Sequence, residues 1–174
     1  MKFFAFCLIL FIHSVAFAEY SKQNVFVVDG DSVNVDLLVF FDLAKEPEVL
    51  PGNRSLVKLR IAGIDTPEII QTCEIVKGQS IDCGRLATQF LKELLENVNG
   101  NLVIEPVGVD YYQRILVRLY KGKVNIGKRM VEQGMAYSYD DTYIKEELIA
   151  REKKLGFWVF FNPPINPKVW RKTH

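Results

Sequence analysis

Histidine is almost missing from this sequence of 174 residues, which contains only His13 and His174. Several hydrolytic mechanisms need histidine at the reacting group, among them the Ser-His-Asp triad, paired-histidine ribonuclease chemistry and histidine-ligated metal sites. The sequence excludes these classes. We therefore expect any base that activates water to be a carboxylate, or a lysine or tyrosine with a shifted pKa.

Cysteine is also scarce, with Cys7, Cys73 and Cys83 as the only three residues. Two cysteines without a suitable histidine cannot complete a zinc site. Cys7 lies in a segment that we expect to be removed, which leaves Cys73 and Cys83 as an even pair in an exported protein. This favours a disulfide that contributes ~2–3 kcal/mol over the alternative of two buried free thiols.

Long hydrophobic runs are missing beyond the first 18 residues. Lys2 precedes an apolar run at 3–12 that is too short to span a bilayer, and Ala16-Phe17-Ala18 fits the small-x-small cleavage rule. These features predict a Sec-type signal peptide at 1–18 that is cleaved after Ala18, and they favour it over an uncleaved anchor. The mature protein would be secreted or periplasmic, with residues 19–174 as a single domain and no membrane partner.

The sequence also lacks an excess of basic residues. Residues 19–174 contain 21 basic and 21 acidic side chains, because the first 18 residues contain one lysine and no acid. Nucleic-acid-binding proteins usually carry a basic excess. Neutrality argues mildly against tight non-specific binding, but it does not argue against catalysis at a locally charged site.

What the sequence does contain is acids and arginines gathered in three short segments. These read V-D-G-D-S at 28–32, R-I-A-G-I-D-T-P-E at 60–68 and D-Y-Y-Q-R at 110–114. Acids can hold a hard cation, and arginines can bind a phosphate through two oxygens. Phosphodiester hydrolysis needs both, although Asp-Gly alone is a common turn and Asp-x-Pro often just ends a strand.

Hydrophobic periodicity places these segments at the ends of strands. Alternation predicts strands at 25–28, 32–37, 55–64, 102–107 and 115–120, with an irregular stretch at 69–81. Spacings of three and four predict helices at 83–98, from Asn125 to Gly134, and at 142–155. Periodicity alone therefore indicates an α+β domain.

The three segments, in this order, resemble the motifs D-G-D-T, R-L-x-G-I-D-x-P-E and D-x-Y-G-R of the staphylococcal nuclease (thermonuclease) family. The resemblance extends from about residue 25 to residue 158. It implies a five-stranded OB-fold β-barrel with three α-helices. Relative to the family, the stretch between Asp31 and Arg60 looks lengthened, which predicts a surface insertion.

The resemblance also implies a calcium site. It assigns the carboxylates of Asp31 and Asp65 and the backbone carbonyl of Thr66 as Ca²⁺ ligands. Oxygen donors of this kind are what calcium prefers. Asp29 is better interpreted as a turn residue or as an acid that supports the ligands.

The catalytic roles come from the same resemblance. Glu68, stiffened by the preceding proline, is the candidate base or water-positioning group. Arg60 and Arg114 are the candidate phosphate-binding catalytic residues, and Tyr112 is the candidate for stacking on a base. For Arg60 the alternative is a salt-bridged surface residue, and for Glu68 a solvated carboxylate.

Three positions depart from the family pattern. Ser32 replaces threonine and keeps the hydroxyl, Tyr111 replaces a basic residue, and Gln113 replaces the usual glycine. The last two put the local turn geometry and some phosphate attraction in doubt. Tyr137 and Tyr139 are further candidates for stacking.

We expect a secreted, calcium-dependent endonuclease, a monomer, that hydrolyses DNA and RNA with little sequence specificity. Single-stranded or frayed substrate would be preferred, and the resemblance implies 3′-phosphate products. The alternative is a non-catalytic OB-type module that binds nucleic acid or peptide, which neutral charge and Gln113 keep open.

Overall fold

The computed structural model describes residues 19–20, 25–36 and 56–174. The predicted signal peptide and residues 37–55 of the predicted insertion lie outside the described residues. The described part of the chain is α+β, as predicted. Its strands are β1 (Glu19–Tyr20), β2 (Val25–Val27), β3 (Ser32–Asp36), β4 (Leu56–Ile61), β5 (Ile64–Asp65), β6 (Thr72–Val76), β7 (Gln79–Asp82), β8 (Leu102–Val109), β9 (Ile115–Lys121), β10 (Val124–Asn125) and β11 (Tyr137–Ser138). Its α-helices are α1 (Cys83–Asn97), α2 (Ile126–Glu132), α3 (Ile144–Glu152) and α4 (Pro167–Thr173).

The main sheet differs from the predicted five-stranded barrel. It has seven strands in the order β1-β8-β9-β4-β3-β2, with β10 paired to β9. Over the described ranges the edge strands β1 and β2 do not pair with each other, so the sheet is open there. The predicted strand at 55–64 ends at Ile61, because Gly63 adopts a φ of +79° in the turn that follows. β5 then pairs with β11 in a separate two-stranded sheet.

The hydrophobic core lies between the sheet and the first two helices. Val33 and Leu59 from the sheet, Leu91 from α1 and Met130 from α2 are all at most 1% exposed. Burial of these side chains is the main favourable term in folding. None of the described helices combines the length and the apolar character that spanning a lipid bilayer requires.

The stretch at 69–81 was wrongly predicted to be irregular. From Thr72 onward it forms the hairpin β6–β7, which runs directly into α1. The predicted disulfide between Cys73 and Cys83 is confirmed, with the two Cα atoms 5.9 Å apart. It ties the hairpin to the first residue of α1 and closes a loop of ten residues, for which the chain-entropy model gives about 3 kcal/mol of stabilisation.

The helix count was also wrong, since the described residues contain four α-helices instead of three. The fourth, α4, begins at Pro167, and the side chain of Asn166 accepts a hydrogen bond from the Lys168 amide at 3.0 Å. An N-cap asparagine followed by proline is a standard helix start. The predicted cap at Asn125 is confirmed, since its side chain accepts from the Lys128 amide at 2.9 Å.

Candidate active site

Strand pairing brings the first two sequence motifs together. β3 and β4 are antiparallel with Ser32 opposite Arg60, so Asp31, one residue before β3, lies beside the arginine. The Ile61 amide donates to the Asp31 carbonyl at 2.8 Å and extends this pairing by one step. The turn after β4 then returns the chain through Asp65. Asp31 and Asp65, which lie 29 and 5 positions from Arg60 in the sequence, thus meet at its side chain.

The guanidinium of Arg60 bridges two buried acids. Nη1 donates to Asp31 Oδ1 and Nη2 to Asp65 Oδ1, each at 2.9 Å. The side chain of Arg60 is 13% exposed, and those of the two acids 6% and 4%. The alternative of a solvent-facing arginine is therefore wrong. Breaking a buried pair of this kind costs ~3–5 kcal/mol, because it leaves uncompensated charge.

The carboxylate of Asp31 is held by hydrogen bonds from its neighbours and lies near two other acids. Ser32 Oγ donates to its Oδ1 at 3.0 Å, and the Thr66 amide donates to its Oδ2 at 3.1 Å. Burial raises the pKa of Asp31 to about 6; Arg60 opposes this shift, and the carboxylates of Asp29 and Asp65 add to it. Asp29 also accepts the Asp31 amide at 3.0 Å, which fits its predicted supporting role.

Glu68 follows on a loop that is fixed by backbone contacts. Its amide donates to Gln71 Oε1 at 3.2 Å, and the Gln71 amide donates back to its carbonyl at 2.7 Å. A Cβ atom on Gly84 would lie 1.8 Å from the same carbonyl, so the first turn of α1 reaches this loop only because residue 84 is glycine. The side chain of Glu68 is 36% exposed, which makes its carboxylate accessible at the loop.

The third motif forms a tight turn between β8 and β9. Asp110 Oδ1 accepts the amides of Tyr112 and Arg114 at 2.9 and 2.8 Å, and Oδ2 accepts Arg114 Nε at 2.7 Å. Gln113, at the position where the family has glycine, has a φ of +61°. The turn therefore keeps its left-handed residue, which costs a non-glycine side chain about 1–2 kcal/mol.

Parallel pairing of β4 with β9 places this turn beside the acid cluster. Arg114 and Tyr112 line one cleft of about 970 Å³ with Arg60 and Glu68. Tyr112 is 76% exposed, and the Arg114 guanidinium lies 5.6 Å from the centre of its ring. Of the other two tyrosines proposed for stacking, Tyr139 lines the cleft, as does Tyr111, which was not proposed for this role. Tyr137 is 5% exposed and donates to the Pro164 carbonyl, so it is a core residue.

Arg171, on α4, is a member of this cluster that the sequence did not reveal. Its Nη2 donates to Asp65 Oδ2 at 2.7 Å, and its Nη1 donates to Glu68 Oε1 at 2.8 Å. The hydrogen bond with Asp65, opposed by burial and reinforced by Glu68, raises the pKa of Arg171 above its ordinary value. The Asn166-Pro167 signal could have revealed the helix, but no local pattern indicates a partner 106 residues away.

Comparison with known proteins identifies the family. A family model described as "Staphylococcal nuclease homologue" matches residues 58–159. An "Uncharacterized endonuclease" of Haemophilus influenzae is 37% identical over 126 residues, which cover 70% of this chain and 63% of that protein. This chain belongs to the staphylococcal nuclease family. The match with the Haemophilus endonuclease spans less than two thirds of that protein's length.

Two further relatives match nearly the whole chain of this family member. An "Uncharacterized endonuclease" of Escherichia coli is 28% identical over 173 residues, 94% of both chains. A "Micrococcal nuclease" of Shigella flexneri is 28% identical over 181 residues, 95% of this chain and 88% of its own. Family membership implies the OB-fold expected from the motifs. The family model begins after Asp31, which the strand pairing nevertheless brings to the site.

The donor set of this staphylococcal nuclease homologue suits a hard cation in its chemistry. Asp31, Asp65 and the backbone carbonyl of Thr66 offer only oxygen atoms, which hard cations prefer. Burial, with a smaller contribution from the carboxylates of Asp29 and Asp65, raises the pKa of Asp31. The described residues contain no group of three or more histidine, cysteine or acidic side chains arranged to hold a metal ion. A cation bound here would therefore depend on two carboxylates, a backbone oxygen and water.

Replacing Gly84 by alanine tests how the Glu68 loop is held. Alanine normally stabilises a helix by ~1 kcal/mol relative to glycine. Here we expect a loss of ~1–3 kcal/mol, because the new methyl group overlaps the Glu68 carbonyl. Gly108→Ala, in β8, is the control for an added methyl group without overlap, since a Cβ atom there meets nothing within 4 Å. Urea denaturation of both variants measures the difference, and a Gly84→Ala variant as stable as Gly108→Ala would contradict the packing argument.

Proposed function

We propose that this chain is a calcium-dependent endonuclease that hydrolyses phosphodiester bonds in DNA and RNA with little sequence specificity. The observation that carries the proposal is the cluster of Asp31, Arg60, Asp65 and Glu68, of which Asp31, Arg60 and Glu68 line a cleft that also contains Arg114. The names of the relatives, two endonucleases and a micrococcal nuclease, support the same activity.

Asp31, Asp65 and the Thr66 carbonyl would hold the calcium ion. When bound, the ion would neutralise phosphate charge and lower the pKa of a nearby water molecule. The acids are already fixed by Arg60 and by the Thr66 amide, so little reorganisation is required of them. Calcium is proposed from the oxygen-only donor set and from the family resemblance.

Glu68 would orient the attacking water and accept its proton. Its carboxylate is partly exposed on a loop whose backbone is fixed by Gln71 and by close contact with Gly84. A positioned carboxylate base typically contributes 10²–10⁴-fold to a rate. Histidine offers no alternative, because the described residues contain only His174, which stacks on Trp170.

Arg60 and Arg114 would hold the nonbridging phosphate oxygens as negative charge develops. Arg114 would also stabilise the departing 5′ oxygen, leaving a 3′-phosphate. Its Nε is occupied by Asp110, so its terminal nitrogens are the ones that would meet the phosphate. Tyr112, 76% exposed beside Arg114, would stack on a base of single-stranded or frayed substrate without selecting its identity.

Glu68→Gln is the direct test of catalysis. Amide replacement removes the proton acceptor, so we expect calcium-dependent cleavage of single-stranded DNA to fall by ~10²-fold or more. Glu152→Gln, at an exposed position of α3, is the matched control and should keep full activity. Each variant is assayed with calcium and with chelator, beside the wild type.

Two results would contradict the proposal. Equal cleavage by wild type and Glu68→Gln would remove Glu68 from the chemistry. Binding of nucleic acid without cleavage in any condition would favour the non-catalytic module instead, and Tyr111 and Gln113 would then be the first positions to examine.

We also propose export with removal of residues 1–18. The Cys73–Cys83 disulfide supports this, because disulfides persist mainly in oxidising compartments. We expect intact-mass measurement of the protein from the periplasm or medium of an expressing bacterium to begin at Glu19. A protein that retains Met1 and remains in the cytoplasm would contradict export.

A further inference from the structure

The helix α4 inserts one guanidinium into the candidate active site. The segment before it is anchored, because Gln71 Nε2 donates to the Ile165 carbonyl at 2.6 Å and the Tyr137 hydroxyl donates to the Pro164 carbonyl. Gln71 is 1% exposed, so its anchor is part of the folded core. These contacts hold the segment that leads into α4, and Arg171 is the residue of α4 that lines the cleft.

Arg171 uses both oxygens of Asp65. Nη2 donates to Oδ2 at 2.7 Å and Nη1 to Oδ1 at 3.1 Å, while Nη1 also reaches Glu68 Oε1 at 2.8 Å. Arg60 donates to Oδ1 of Asp65 as well, at 2.9 Å. The Asp65 carboxylate thus accepts three N–H groups from two guanidiniums, and a two-oxygen pairing of this kind is the strong form of the contact.

A divalent cation bound through Asp65 needs the oxygen lone pairs that Arg171 engages. It would also bring two positive charges against a guanidinium that cannot lose its own charge. The arginine that yields should be Arg171, whose side chain is 40% exposed, and not Arg60, which is 13% exposed and sits between both acids.

We propose that Arg171 is a built-in competitor for the cation at Asp65 and Glu68, so that cation binding and docking of the Arg171 side chain exclude each other. The proposal rests on the proposed calcium site and adds regulation to it. α4 thus acts as a latch through the side chain of Arg171. When this side chain is docked, it neutralises Asp65 and Glu68. When the cation displaces it, Glu68 is free to contact water and a third arginine remains at the cleft.

Calcium titration calorimetry of the full chain tests this competition. We expect Arg171→Gln to bind calcium at least ~5–10-fold more tightly than wild type, within the range typical of coupled binding events. Lys172→Gln, the next residue on the same helix, is exposed and removes the same charge. This control reports the general electrostatic effect and should change the affinity less than ~2-fold. Circular dichroism checks that each variant is folded.

A second measurement uses wild-type protein alone. If calcium displaces Arg171, peptides that cover 167–174 should exchange amide hydrogens faster when calcium is added, while peptides that cover α1 should not. This readout does not depend on cleavage.

The outcomes separate this proposal from the proposed function. Calcium affinity that is unchanged or weaker in Arg171→Gln, with unchanged exchange in α4, overturns the latch and leaves the nuclease intact. The weaker case would show that Arg171 positions the acids for the cation instead of competing with it. Failure of calcium to bind wild type and Arg171→Gln alike overturns the latch together with the calcium site. The cleavage assay of Glu68→Gln tests the proposed nuclease activity independently of the latch.

Discussion

The site depends on one side chain, Arg60, held between the carboxylates of Asp31 and Asp65. The acids come from two turns that strand pairing brings to the same edge of the sheet. Because Asp31 and Arg60 are nearly buried, removal of the guanidinium would leave the Asp31 carboxylate without its ion-pair partner, which is costly. Arg60 therefore couples the folding of β3, β4 and β5 to the geometry of the site.

The local charge of the site differs from the charge of the chain. The full sequence has a formal net charge of +1, which indicates little about its ligands. Around Arg60, however, Asp29, Asp31, Asp65 and Glu68 outnumber the guanidiniums of Arg60 and Arg171, and the pKa of Asp31 is raised as a result of burial and this crowding. This excess of carboxylates would attract the proposed cation. Arg171 already supplies part of this positive charge from within the chain.

The elements whose signals are local could be predicted from the sequence. Alternation and spacing located the main strands and the first three helices, and the three motifs identified Asp31, Arg60 and Glu68, which the fold brings together. Prediction failed where the structure depends on contacts that are distant in sequence. β1 pairs with β8 at one edge of the sheet and, within the described residues, not with β2 at the other. The break after Ile61 follows from the left-handed Gly63. Arg171 meets Asp65 from α4, whose preceding segment is held by buried Gln71 and by Tyr137.

A double-mutant cycle on Arg60→Gln and Asp31→Asn is the most direct measurement of this central interaction. Unfolding free energies are compared at a pH well above the Asp31 pKa of about 6, so that the carboxylate is ionised in the wild type. The bridge predicts a loss of ~3–5 kcal/mol for Arg60→Gln alone and a loss smaller by at least ~1 kcal/mol when Asp31 is already asparagine. Additive losses, equal within ~0.5 kcal/mol, would show that Arg60 and Asp31 do not depend on each other and would contradict this account.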